Sequence, residues 1–131
     1  MTSDYADLTR SFEAHDLDGS TFRHLDHVGV AYEMLRAHDF VEATSRYAEN
    51  IRTIAAKAGA PDKFNATITF AFMSLIAERM VTTEHKDYDD FIARNPDLKS
   101  KDVLEKWYSP ERLHSASARR VFLMPDAVSG S

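Results

Sequence analysis

Two imidazoles, His24 and His27, stand three residues apart in a stretch that is otherwise rich in aliphatic side chains. On a helix that spacing puts both rings on one side. A pair so placed can move a proton near neutral pH, orient a substrate, contribute to a metal site, or serve structure alone. A second polar pair, Asn65 and Thr69, lies one helical turn apart inside a nearly continuous apolar segment. An amide or hydroxyl left unpaired in such surroundings costs on the order of 1–3 kcal/mol. Each therefore requires a partner: the other, the backbone, water or a ligand. If the helix carrying His24 packs on the helix carrying Asn65, these four residues converge at one end of the contact. Tyr32, Phe72, Met73 and either Trp107 or Tyr108 would ring them. A mostly apolar hollow with a few convergent polar groups is the usual form of a small-molecule site.

Other chemistries are missing. The chain has no cysteine, so thiol catalysis and disulfides are excluded. No serine sits in a nucleophile elbow, and no glycine-rich phosphate loop or dinucleotide fingerprint occurs. The stretch Asp16-Leu17-Asp18-Gly19 has the opening of a calcium loop but lacks the closing glutamate and the twelve-residue ligand pattern. Arg119-Arg120 reads as a helix-end pair, with a substrate carboxylate as the alternative partner for one guanidinium.

The elements that must position these groups are helical. Ser3 caps a first short helix reaching about Ala14, and Gly19 breaks the chain after it. Ser20 or Thr21 caps the next helix, about 21–38, with His24, Leu25, Val28, Ala31, Tyr32 and Leu35 on its apolar face and Glu33 opposite. Asp39 opens a helix over 39–58, which Gly59 ends and Pro61 keeps from resuming. A third long helix follows over 62–82, in hairpin with the second of the three. It is apolar over most of its circumference, with Thr67, Ser74 and Glu78 as its polar stripe, so other elements must cover it on several sides. Asp87 to Arg94, about 101–107, Ser109-Pro110 onward and Ser115 to Phe122 supply short C-terminal helices, and the tail from Ala127 frays. The expectation is an all-α chain: one compact helical domain over 1–131, its core spanning about 4–126.

At 131 residues there is room for one domain and a real core. The net charge of −5 arises from mixed acidic and basic residues, which argues against a nucleic-acid surface. The apolar run from Phe64 to Ala77 is too short to span a bilayer, and Met1 to Asp7 lacks the form of a signal peptide. The cytoplasm is the expected compartment, with a small molecule as partner and a homodimer left open.

Several segments together resemble a group of small, uncharacterised bacterial helical proteins. Phe22-Arg23-His24-Leu25-Asp26-His27-Val28 resembles that group's F-x-H-x-x-H-aliphatic opening, and Phe64-Asn65-Ala66-Thr67-Ile68-Thr69 resembles its Y-H-E-T-I-T segment. Tyr108-Ser109-Pro110-Glu111-Arg112-Leu113 and Arg119-Arg120-Val121-Phe122-Leu123-Met124-Pro125-Asp126 are similar to its closing motifs. The resemblance runs from about Phe12 to Asp126 and implies a cluster of three histidines and a carboxylate, able to hold a metal or transfer protons. This chain departs from it with Asn65-Ala66 in place of His-Glu, which leaves two histidines, a poor set for a divalent ion. The function expected is therefore a small enzyme without metal or other cofactor. It would act by proton transfer on a mostly apolar metabolite, as an isomerase, dehydratase or cyclase, for instance in a biosynthetic pathway. His24 and His27 would be catalytic, and Asn65, Thr69, Tyr32, Phe72, Met73 and Tyr108 would bind substrate. A binding or protein-interaction module is the alternative, and a metal protein using His24 and His27 the third.

Overall fold

The computed structural model describes residues 5–126, and no strand occurs among them. The Ser3 cap and the tail from Ala127 lie outside these residues. Helix α1 (Tyr5–Glu13) closes where His15 takes a φ of 61°, which lets the Asp16 N–H reach back to the Ser11 carbonyl at 3.0 Å. Ser20 and Thr21 then form a 3₁₀ turn with Gly19 rather than capping the next helix. The Asp18 carboxylate accepts both the N–H and the hydroxyl of Ser20, at 3.0 and 2.8 Å. Helix α2 (His24–Ala37) starts later than expected, where Asp26 accepts the Arg23 N–H at 3.0 Å.

Helix α2 is as enclosed as any element of the fold. Every residue from Val28 to Met34 is buried, because α1, α3 (Phe40–Lys57) and α4 (Ala66–Thr82) all pack on it. Glu33, expected outside, is buried with them and receives Arg36 Nη2 at 2.8 Å. Gly29 is what admits α1: a Cβ there would collide with the Tyr5 ring. Tyr5 in turn meets Tyr88 edge-on with ring centroids 5.2 Å apart.

Asp39 caps α3 through the Glu42 N–H at 2.8 Å, and Gly59, with φ of 74°, ends it. Residues Pro61–Lys63 make a 3₁₀ turn, so α4 begins at Ala66 and not at Asp62. Asn65 is therefore its N-cap and not a member of its apolar arc: Oδ1 accepts the Ile68 N–H at 2.9 Å. Helix α4 is covered on several sides, as its composition demands, and Met73 and Ile76 are fully buried. Its expected polar stripe is divided. Ser74 and Glu78 are exposed, whereas Thr67 is wholly buried under the C-terminal segment. The Thr67 hydroxyl donates to the Val121 carbonyl at 2.6 Å and accepts the Leu123 N–H at 3.0 Å.

Short helices complete the fold: α5 (Tyr88–Arg94), α6 (Pro110–Leu113) and α7 (Ala116–Arg120), capped by Asp87, Ser109 and Ser115. Arg79 fixes the segment after α5 by a two-pronged pair with Asp97, at 2.9 and 2.8 Å, and a bond to Asn95 Oδ1 at 3.0 Å. Lys106 reaches the same Asp97 carboxylate at 2.6 Å. This clasp, together with the buried Leu98, Val103 and Leu104, holds residues 97–106 against the helices and brings the Leu98 carbonyl to the first turn of α2. No helix among the described residues is long and apolar enough to cross a membrane.

Candidate functional site

The first turns of α2 and α4 face one cavity of about 330 Å³, walled further by α3 and by residues 101–104. His24 and His27 come from α2, Asn65, Ile68, Thr69 and Phe72 from the start of α4, and Tyr47 and Ile51 from α3. Lys63, Lys101, Val103 and Leu104 complete the wall. His24, His27, Asn65, Thr69 and Phe72, separated by up to about a third of the chain, thus share one hollow.

Hydrogen bonding gives the two imidazoles different characters. His24 Nε2 lies 2.9 Å from the Leu98 carbonyl, which can only accept, so Nε2 carries the proton. In the neutral ring Nδ1 then holds the lone pair. The ring sits 5.7 Å from that of Phe72. His27 Nδ1 lies 2.9 Å from the Tyr47 hydroxyl, and its ring lies 4.1 Å from that of Phe22. Burial, with a smaller push from neighbouring His24, lowers the His27 pKa to about 4 against a slight opposing pull from Asp26, so this ring is neutral at ordinary pH. Burial also pushes ionisation of the Tyr47 phenol far above its ordinary range. The His27–Tyr47 bond is thus one between neutral groups.

Asn65 is heavily engaged. Besides its cap, Nδ2 donates to the Leu113 carbonyl at 2.7 Å, tying α4 to α6 and leaving one N–H for anything in the cavity. Thr69 differs: it is 6 % exposed, and its hydroxyl has no hydrogen-bond partner among the described residues.

Family models, curated proteins and solved structures were all searched, and none matches this chain.

Three residues expected at the site lie elsewhere. Tyr32 sits in an aromatic cluster with Tyr88 and Phe91, at 5.3 and 5.1 Å between ring centroids. Its position on α2, two turns beyond His24, carries it toward α5. Met73 is fully buried in the core, one residue past the cavity-facing Phe72. The Tyr108 hydroxyl donates to the Leu123 carbonyl at 2.8 Å, and its ring lines a separate hollow with Trp107 and Phe122. Arg119 and Arg120 do not line the cavity either; Arg119 Nη2 reaches the His114 carbonyl at 3.4 Å.

Sequence reasoning overlooked Tyr47, Lys63 and Lys101. Tyr47 was legible in principle, since a tyrosine on a buried stripe needs a partner for its hydroxyl. Lys63 stands two residues before Asn65, close enough that placing one placed the other. Lys101 offered no local signal, because its segment is carried there by distant contacts, the Arg79–Asp97 clasp and the buried Leu98, Val103 and Leu104.

The donor set does not suit a metal ion. Among the described residues no three histidine, aspartate or glutamate side chains come together as ligands.

Proposed function

We propose that this chain is a small cytoplasmic enzyme that works without a metal on a mostly apolar metabolite by proton transfer, as an isomerase, dehydratase or cyclase does, within a biosynthetic pathway. One observation carries the reading: an imidazole whose Nε2–H is fixed on the Leu98 carbonyl shares a cavity with Thr69, a buried residue whose hydroxyl has no partner among the described residues. His24 Nδ1 takes a proton from the substrate, and the resulting imidazolium keeps its Nε2–H on the Leu98 carbonyl until it returns the proton at another atom. Thr69 holds a substrate oxygen, assisted by the remaining N–H of Asn65. Neutral His27, backed by Tyr47, offers a second, uncharged hydrogen-bonding group, and Phe72, Ile51 and Ile68 exclude water.

The resemblance to the bacterial helical group supports placing the pocket at His24 and His27. A non-catalytic binder is the second reading. It is favoured by the engagement of Asn65 and of His27 Nδ1 with protein groups. Incubating the protein with pooled small metabolites in D₂O and weighing the products separates the two. A compound that gains deuterium with the native chain and not with His24→Gln supports the enzyme. Compounds retained by the protein and returned unlabelled support the binder.

A further inference from the structure

The charges around the cavity are of one sign. Lys63 and Lys101 both line it, neither is paired with a carboxylate among the described residues, and no aspartate or glutamate lines it. Asp62 and Asp102, next to the two lysines in sequence, do not contribute to the wall. In a chain of net charge −5 this is a local reversal. The positive ends of two long helices add to it, because the first turns of α2 and α4 supply His24, His27, Asn65 and Thr69. Asp26 offsets part of the α2 contribution by capping the Arg23 N–H, and nothing acidic does so in the first turn of α4. Inside this field stands Thr69, a buried residue whose hydroxyl has no partner among the described residues.

A second hollow adjoins the first, with His27, Ile51 and Lys63 common to both walls. It is lined by Phe22, Ile54, Ala55, Ala58 and Phe64, and again no carboxylate faces it. Its volume is about 390 Å³. The polar and apolar compartments are therefore contiguous, with Lys63 at their junction.

We propose that the paired cavities take a small amphiphilic carboxylic acid. Its carboxylate would sit between Lys63 and Lys101 with a hydrogen bond from Thr69, and its apolar body would lie along Phe22, Ile51 and Ile54. A singly charged head suits two ammonium groups and one hydroxyl. No guanidinium lines either hollow, and the Ile68 N–H is already taken by Asn65, so the groups at hand favour a singly charged head over a phosphate dianion. This inference rests on the reading of the first cavity as a ligand site and names the class of ligand it selects.

Calorimetric titration of the full chain with octanoate, octanol, octylamine and octyl phosphate tests it. The expected result is saturable octanoate binding that octanol matches only at about tenfold higher concentration, with octylamine weaker still. The double variant Lys63→Gln/Lys101→Gln, at two exposed positions, should keep its fold by circular dichroism and bring octanoate down to the level of octanol. Equal binding of octanoate and octanol, tighter binding of octylamine or octyl phosphate, or unchanged octanoate binding in the double variant overturns the proposal while leaving the cavity as a ligand site. If no octyl compound binds at millimolar concentration, the inference and the ligand-site reading fall together.

Discussion

The Tyr47 hydroxyl and His27 Nδ1 meet at 2.9 Å, joining α3 to the first turns of α2 and making the back wall of the cavity from two neutral groups. Because His27 in the folded chain titrates at about 4 and in an unfolded one near 6.5, the unfolded state binds more protons between those values. The stabilisation is complete above pH 6.5 and is lost as pH falls toward 4, amounting to roughly 3 kcal/mol at most. Tm measured across this range should drop in the native chain and drop much less in His27→Gln. The Asp97 carboxylate, held well below its ordinary range chiefly by the Arg79 hydrogen bonds, acts in the same direction but only at lower pH. A native-like pH slope in the His27 variant would show that the buried ring is not its source.

Replacing Tyr47 by phenylalanine keeps the ring and removes the partner of His27. The cost should be about 1–2 kcal/mol by chemical denaturation, the penalty for a buried hydrogen-bonding atom left alone. An unchanged midpoint would mean that water satisfies His27 equally well.

His24→Gln retains an N–H able to reach the Leu98 carbonyl and removes the basic nitrogen. Stability should change by less than about 1 kcal/mol, whereas proton transfer should fall on the order of a hundredfold or more. Substantial residual turnover in a folded variant would reassign the base.

Thr67→Val is nearly isosteric but removes both hydrogen bonds to the strand-like stretch after α7. Global stability should fall by about 1–3 kcal/mol. Amide exchange of Leu123 should rise more than that of residues in α2. Uniform protection changes across the chain would contradict a local clasp.

Gly29→Ala places a methyl group against the root of the Tyr5 ring, which cannot swing aside as a flexible chain end would. It should destabilise by roughly 1–3 kcal/mol through overpacking. Pairing it with Tyr5→Ala should give a combined loss well below the sum of the two. Additive losses would mean that the two positions do not touch.

Local signals were enough for the skeleton of this protein. Asp39, Gly59, Pro61, Asp87 and Ser109 start or stop helices through their own backbone preferences and bonds two to four residues away, and each does so where the sequence places it. The meeting of His24 with Asn65 and Thr69 was also foreseeable, since two apolar faces had to find each other. What the sequence alone left open is everything that depends on how helices cross. Asn65 caps its helix because the 3₁₀ turn at Pro61–Lys63 delays the start of α4. Thr67 is buried because a segment more than fifty residues away lies over it. Tyr32, Met73 and Tyr108 point to other neighbours, and Lys101 arrives at the cavity on a segment anchored by buried Leu98, Val103 and Leu104 and by the ion pair at Asp97. Periodicity tells which side of a helix is apolar. Only the packed structure decides which neighbour that side meets, because the choice is set by the sum of many contacts and by no single residue's preference.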